Sequence, residues 1–160
     1  DPNPILYFEH KALYRIIEEE IPDAMYQIEI GKAKVVQEGT DATIITYGMG
    51  VHWANAYQQA HPDQSIYIVD LRTLSPLDYS AIATAVKATG KLMILHEDNL
   101  TGGIGGEISA WVAEHCFENL DAPIMRCASL DTPIPFNKIL EKQFLANDRL
   151  GEMMEKLLSY

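Results

Sequence analysis

The stretch LMILHEDNLTGGIGGEISAWVAEHC, residues 92–116, carries the pattern that decides the fold. It opens with a short apolar run, passes through a glycine-rich turn, and continues with apolar residues at the spacing of a helix: Ile108, Trp111, Val112 and Cys116. A strand, a turn and a helix therefore follow one another directly. Because apolar residues fill nearly every position of the run, the strand is typical of a parallel sheet that helices cover on both faces.

The same alternation extends to both sides of this stretch. Strands are predicted at residues 43–47, 66–71, 92–96 and 123–128, with segments of helical length between them. Two further helices close the chain. The sequence therefore predicts an α/β fold, an open, mostly parallel twisted sheet with helices on both faces.

Several helix boundaries have sequence signals. Ser75 is a predicted N-cap, with Pro76 at the first helical position and Asp78 near the positive end of the helix, and Gly90 is the predicted end of that helix. Asn147 is predicted to cap the last helix. The apolar stripe of that helix includes neighbouring methionines at 153 and 154, which we expect to fill the core.

The front of the chain differs in kind from the rest. It contains the strand-like residues 5–8, an acidic run at 18–20 and an alternating stretch at 26–30 that predicts an edge strand. The chain begins at Asp1 without a methionine, which suggests a fragment of a longer polypeptide. We therefore predict that residues 1–40 are a linker that arrives from an absent domain.

Charge and composition exclude several functions. Lys and Arg number 12 against 23 Asp and Glu, a net charge of −11, so no basic surface is available to bind nucleic acid or anionic lipid. The longest apolar runs have the length of strands, which predicts no membrane span. Cys116 and Cys127 form no C-x-x-C pair, and a cytoplasmic location is the simplest interpretation.

The glycine-rich turn at residues 101–107 has two interpretations. Its backbone N–H groups, at the start of a helix, suit a phosphate, as in a free-standing flavodoxin-like domain that binds an anion or a nucleotide. However, it lacks the P-loop lysine, and Glu107 puts a negative charge in the first helical turn. The favoured interpretation is structural: Gly102, Gly103, Gly106 and Glu107 form a tight turn that packs against the sheet or a partner chain.

Other candidate catalytic residues are few. His96 ends a predicted strand beside two acids, where α/β sheets place ligands, and it suits either a titrating role or a hydrogen-bonded, interfacial one. Cys116 follows His115 late in a helix, whereas a reactive thiolate favours the opposite end. No G-x-S-x-G elbow or metal-binding spacing is present. We therefore predict no catalytic and no cofactor-binding residue within this chain.

Five separated motifs, in order along nearly the whole chain, resemble one known family. They are DPNPILYFEHK (1–11), GTDATIITYG (39–48), DLRTLSPLD (70–78), TGG (101–103) with Glu107, and DTPIPF (131–136). They look like the C-terminal half of the beta subunit of thiamine-diphosphate-dependent 2-oxo acid dehydrogenases, the E1 component of pyruvate or branched-chain complexes. The resemblance implies the end of a pyrimidine-binding domain and a linker at 1–33, then a transketolase-type C-terminal domain at 34–160.

The resemblance also implies the parent enzyme's chemistry. The parent would oxidatively decarboxylate a 2-oxo acid on thiamine diphosphate and transfer the acyl group to a lipoyl group of the acyltransferase, E2. In this family the alpha subunit holds the diphosphate and Mg²⁺, while the N-terminal half of the beta subunit holds the aminopyrimidine and supplies the catalytic residues. The present chain would then be inactive alone. A piece of a transketolase or a deoxyxylulose-phosphate synthase is the alternative within the superfamily.

Further expectations concern an ion and partners. Asp1 and Asn3 match part of a potassium site that branched-chain beta subunits carry, and oxygen donors suit such a cation. The family resemblance implies three partners: the E1 alpha subunit, a second beta subunit in a two-fold dimer, and the small basic subunit-binding domain of E2. Tyr160 resembles the family's chain end near that E2 docking surface. A chain with net charge −11 complements a basic partner.

Overall fold

The computed structural model describes residues 3–4 and 6–160. The strands are β1 (Lys34–Gln37), β2 (Ala42–Thr46), β3 (Ile66–Asp70), β4 (Leu92–Asn99) and β5 (Met125–Ser129). They form one sheet in the order β1-β3-β2-β4-β5, in which β1 runs antiparallel to β3 and the other pairs are parallel. The predicted α/β fold with a mostly parallel sheet is confirmed.

Helices follow the strands as the sequence pattern predicts. They are α1 (Met49–Ala60), α2 (Tyr79–Thr89), α3 (Ile104–His115), α4 (Lys138–Phe144) and α5 (Asn147–Leu158), with short 3₁₀ helices at Lys11–Arg15 and Phe117–Asn119. Among the described residues, none of these helices has the length and apolar character needed to cross a membrane. Helices α4 and α5 are the two helices that the sequence pattern predicts after the fourth predicted strand.

The core lies on both faces of the sheet. One face packs against α1 and α5, through side chains that include Ala54, Leu150 and Met154. The other face packs against α2 and α3. Every residue of β2 is buried, because this strand lies in the middle of the sheet with a helical layer on each side. Met154 is fully buried, which confirms its predicted place in the core.

The predicted edge strand at residues 26–30 is wrong. Those residues form no strand, and Tyr26, Ile28 and Ile30 are exposed. The edge strand is β1, which pairs Lys34 with Asp70. Alternation in the sequence favoured residues 26–30. Pairing with β3, which alternation does not reveal, is what makes Lys34–Gln37 a strand. Residues 6–8 likewise form no strand, and Ile5 lies outside the described residues.

Two predicted helix caps are also wrong, whereas the predicted end of α2 is confirmed. The N-cap of α2 is Asp78, whose carboxylate accepts a hydrogen bond from Ala81 N at 3.1 Å, so Ser75 lies before the helix. Gly90 ends α2 in the left-handed conformation. Asn147 is the first residue of α5 rather than its cap, because Ala146 already has helical backbone angles and accepts from Arg149 N.

Candidate functional site

The glycine turn between β4 and α3 is built around the ring of His96. This side chain is fully buried. A Cβ atom on Gly103 would lie 2.7 Å from His96 Cε1, and one on Gly105 would lie 2.5 Å from His96 Nε2. Both distances are shorter than van der Waals contact. Only glycine at these two positions therefore allows the backbone to lie this close to the ring.

His96 is held as a neutral imidazole. Its Nδ1 lies 3.1 Å from the carbonyl oxygen of Asp98 and therefore donates the hydrogen bond. Nε2 has no hydrogen-bond partner among the described residues. Burial lowers the pKa of His96, and the charge of Arg126 acts in the same direction, against the opposing influence of Asp98. The geometry supports the hydrogen-bonded interpretation of His96 rather than a role in proton transfer.

The predicted turn residues lie together at the start of α3, but they play different parts. Gly102 has φ of 82° with open space around its Cα, and Glu107 is exposed. A Cβ on Gly106 would meet Arg126 Nη1 at an ordinary 3.6 Å. The sequence prediction did not include Gly105. The available sign of its role was its position two residues after Gly103, in a turn that follows a strand containing a histidine.

Asp131 closes the turn from the neighbouring loop. Its carboxylate accepts hydrogen bonds from Thr101 N at 2.9 Å and from Thr101 Oγ1 at 2.7 Å. These hydrogen bonds hold the pKa of Asp131 below its usual range. The chain therefore places its own carboxylate beside the turn, where the phosphate interpretation would put an external anion.

A cleft of about 400 Å³ opens at the carboxyl ends of β2 and β4. The chain order reverses between these two strands, which is where α/β sheets bind ligands. We call it the switch-point cleft; it is lined by Tyr47, Glu97, Asp98, Ile134, Glu141, Phe144 and neighbouring residues. Burial raises the pKa of Tyr47, and the charges of Asp98 and Glu97 raise it further.

The fit of this cleft to anionic cofactors is poor. Its charged side chains are carboxylates, and His10 Nε2 lies within hydrogen-bond distance of Glu97 Oε2, at 3.1 Å. Carboxylates repel a diphosphate unless a metal ion lies between them. In the described part of the chain, no group of three or more His, Cys, Asp or Glu is arranged to hold a metal. The residues that line this cleft therefore do not fit thiamine diphosphate with its Mg²⁺.

The remaining candidates are the proposed potassium ligands and the residue at the chain end. Asp1 is outside the described residues, whereas Asn3 is described and exposed. Tyr160 is exposed just beyond α5, and Lys91, at the amino end of β4, donates to Leu158 O at 3.1 Å. Tyr160 and the glycine turn are therefore at opposite ends of β4.

Neither cysteine is placed as a nucleophile. Both are buried and unpaired. Burial raises the pKa of Cys127 to about 11, and its thiol donates to Ala146 O at 3.3 Å. A thiol with this pKa is protonated at neutral pH, so Cys127 has a packing role.

Comparisons with known proteins place these features in a family context. Residues 31–149 match the family described as "Transketolase, C-terminal domain". The chain is 44% identical over 164 aligned residues to 2-oxoisovalerate dehydrogenase subunit beta of Bacillus subtilis, an alignment that covers 100% of this chain and 50% of the relative. It is 38% identical over 163 residues to the pyruvate dehydrogenase E1 component subunit beta of the same organism, with the same coverage.

A solved structure supports the same fold. It is titled "Split gene transketolase, inactive beta4 tetramer", with a TM-score of 0.70 at 23% identity, covering 89% of this chain and 46% of that one. At this identity the likeness concerns the fold alone. The chain thus spans about half the length of these curated relatives and of this structure.

Proposed function

The chain belongs to the transketolase C-terminal domain family, and from this premise we propose that it is the assembly and partner-docking domain of a 2-oxo acid dehydrogenase E1 beta subunit. The observation that carries the proposal is the match to two such beta subunits across the whole of this chain. The glycine turn and the buried His96 agree with it, since they pack closely against each other at the start of α3.

The parent enzyme, in this proposal, decarboxylates a 2-oxo acid and passes the acyl group to a lipoyl group of E2. Thiamine diphosphate, bound with Mg²⁺, supplies the carbanion chemistry. Because the lining of the switch-point cleft does not fit that cofactor, and the family resemblance places its binding elsewhere, we assign its binding to the rest of the parent enzyme. The names of the relatives favour 2-oxoisovalerate or pyruvate as the type of substrate.

The division of the chain into residues 1–33 and 34–160 is part of the proposal. The family match begins at residue 31. Before it, large apolar side chains are exposed: Leu6, Tyr7, Phe8, Tyr14, Ile16, Ile21, Met25, Tyr26, Ile28 and Ile30 are among them. Such density of exposed apolar surface is found where another protein body covers it. We assign residues 1–33 to the end of a pyrimidine-binding domain and its linker. In the full subunit, Asp1 and Asn3 would contribute oxygen ligands to a potassium ion.

The partners proposed for this domain are the E1 alpha subunit, a second beta subunit and the basic subunit-binding domain of E2. The net charge of −11 supports the last of these through electrostatic complementarity. Tyr160, exposed after α5, is the proposed E2 contact. Gly102, Gly103, Gly106 and Glu107 are the proposed turn at a subunit interface. We place the parent enzyme in the cytoplasm, a reducing compartment that suits unpaired, buried cysteines.

Calorimetry on the isolated chain tests the proposal. We expect no binding of thiamine diphosphate with Mg²⁺, and none of FMN, phosphate or adenine nucleotides. Saturable binding of FMN or a nucleotide would instead support the flavodoxin-like domain. Saturable binding of thiamine diphosphate would show that this chain holds a cofactor site and would contradict the proposed division of labour.

A further inference from the structure

The switch-point cleft has negative charge that the described residues leave largely uncompensated. Glu97, Asp98 and Glu141 line it, and no Lys or Arg is among its lining residues. Among the described residues, the side chain found next to these carboxylates in a hydrogen bond is that of His10, whose Nε2 lies 3.1 Å from Glu97 Oε2. A positive group brought into this cleft would therefore be stabilised.

The cleft also has apolar walls and an apolar rim. Ile134, which is exposed, and Phe144 and Leu145, which are less so, are among its lining residues. On the adjoining loop and on α4, Phe136 is fully exposed, and Ile139 and Leu140 are more than half exposed. Large apolar side chains grouped in this way mark a surface that binds another protein.

We propose that the switch-point cleft receives a lysine or arginine side chain from a partner protein, within a segment whose flanking apolar residues cover Phe136, Ile139 and Leu140. The aliphatic stem of such a side chain suits the walls formed by Ile134 and Phe144, and its charged head reaches the three carboxylates. This site lies at the carboxyl end of β4, away from the proposed Tyr160 contact, so it does not depend on that contact.

The choice of a basic and apolar occupant follows from charge complementarity. An acidic or phosphorylated segment would be repelled by Glu97, Asp98 and Glu141, and a purely apolar one would bury these charges without partners. A basic segment satisfies both the charge and the apolar surface. Its association is expected to weaken with increasing salt, because the carboxylates are partly exposed.

Nuclear magnetic resonance on the 160-residue chain tests the proposal, since the sheet and both helical layers are complete within residues 34–158. The probe is a short acetylated and amidated peptide of alternating leucine and lysine. We expect saturable shifts of the Ile134, Ile139, Leu140 and Leu145 methyl signals. A peptide with glutamate in place of lysine, and one with alanine in place of leucine, should bind more weakly.

Matched variants separate this site from general attraction to an acidic protein. The variant E97Q/D98N/E141Q removes three charges from the cleft, and we expect about tenfold weaker binding, the order expected for three partly exposed ion pairs. The control E114Q/E118Q/E152Q removes three exposed charges elsewhere and should bind as the unchanged chain does. Equal weakening in both variants, or methyl shifts located elsewhere, would overturn the proposal.

Two other occupants give different results. If a second copy covers the cleft, sedimentation of the chain alone will show concentration-dependent dimers that the substitution Phe136→Ser abolishes. If another part of the parent polypeptide covers it, the same methyl signals in a polypeptide extended to the length of the relatives will not respond to the peptide. Either result would overturn the proposal of a basic partner segment.

Discussion

At residue scale, the His96 ring explains why two neighbouring glycines are not equivalent. The substitution Gly105→Ala puts a methyl group 2.5 Å from Nε2 and 2.9 Å from Cδ2 of a buried ring that Asp98 O holds in place. We expect it to lower the free energy of unfolding by about 1–3 kcal/mol through overpacking. Urea unfolding, followed by circular dichroism, measures the change.

Gly106→Ala is the matched control for that substitution. Its methyl group meets no atom closer than 3.6 Å, and alanine has the higher helix propensity, so we expect a gain of up to about 1 kcal/mol. Equal free energies of unfolding for the two variants would show that His96 does not restrict residue 105.

The buried imidazole also predicts a pH dependence of stability. Because burial lowers the folded-state pKa of His96 below its ordinary 6.5, the unfolded chain takes up this proton first as the pH falls. The contribution of His96 is therefore fully present above about pH 6.5 and is lost below it, by at most about 1.4 kcal/mol per pH unit. Unfolding free energies measured at several pH values give this slope.

Substitutions identify the group responsible for that slope. His96→Asn removes the titration and should flatten the slope below pH 6.5, although it leaves a cavity and lowers stability at every pH. His115→Gln, at an exposed ring, should keep the slope. If the slope survives in His96→Asn, another group is responsible.

The residue-scale prediction from sequence was partly successful for physical reasons. Glycines after a strand predicted a turn, and Gly103 indeed contacts the His96 ring. Gly105 was missed because only the folded structure brings the His96 ring next to residue 105, where it leaves no room for a Cβ atom. Periodicity does not show which glycine faces that ring.

At the scale of elements, the N-cap of α2 is Asp78 and not Ser75, the residue that the sequence pattern predicts. Asp78 accepts from Ala81 N at the helix start and from Ala33 N at 3.1 Å, which ties β1 to α2. We expect Asp78→Ala to lower the free energy of unfolding by about 1–2 kcal/mol, through loss of the cap and of a second hydrogen bond. Thermal or urea unfolding gives the value.

Ser75→Ala is the control, because Ser75 is exposed and lies before the helix. We expect a change within about 0.5 kcal/mol. If Ser75→Ala lowers the free energy of unfolding more than Asp78→Ala does, Ser75 is the cap, as the sequence pattern predicts, and the observed helix start is contradicted.

Element-scale patterns predicted strands β2 to β5 but not the edge strand β1. Residues of β2 and of the first part of β4 are buried on both faces, and this requirement gives their sequences an apolar residue at nearly every position. The edge strand β1, with the sequence KVVQ, has two exposed residues out of four and lacks the alternation that the unpaired segment at 26–30 shows. Lys34–Gln37 forms a strand because it pairs with β3, which lies more than thirty residues away in sequence.

At the scale of the whole molecule, the alternation of strands and helices predicted a parallel sheet, but it did not specify which strands meet. The order β1-β3-β2-β4-β5 places the carboxyl ends of β2 and β4 side by side and so creates the switch-point cleft. His10 and Glu97, 87 positions apart, meet there. Such a site depends on strand order and loop packing, which local patterns do not encode.

The central claim is that this chain is a domain of a larger enzyme and supplies no active site of its own. The most direct test measures decarboxylation of 2-oxoisovalerate and pyruvate with an artificial electron acceptor, thiamine diphosphate and Mg²⁺. We predict no turnover by the isolated 160-residue chain, and turnover by the polypeptide extended to the length of its relatives and combined with its alpha subunit. Decarboxylation by the isolated chain would contradict the claim.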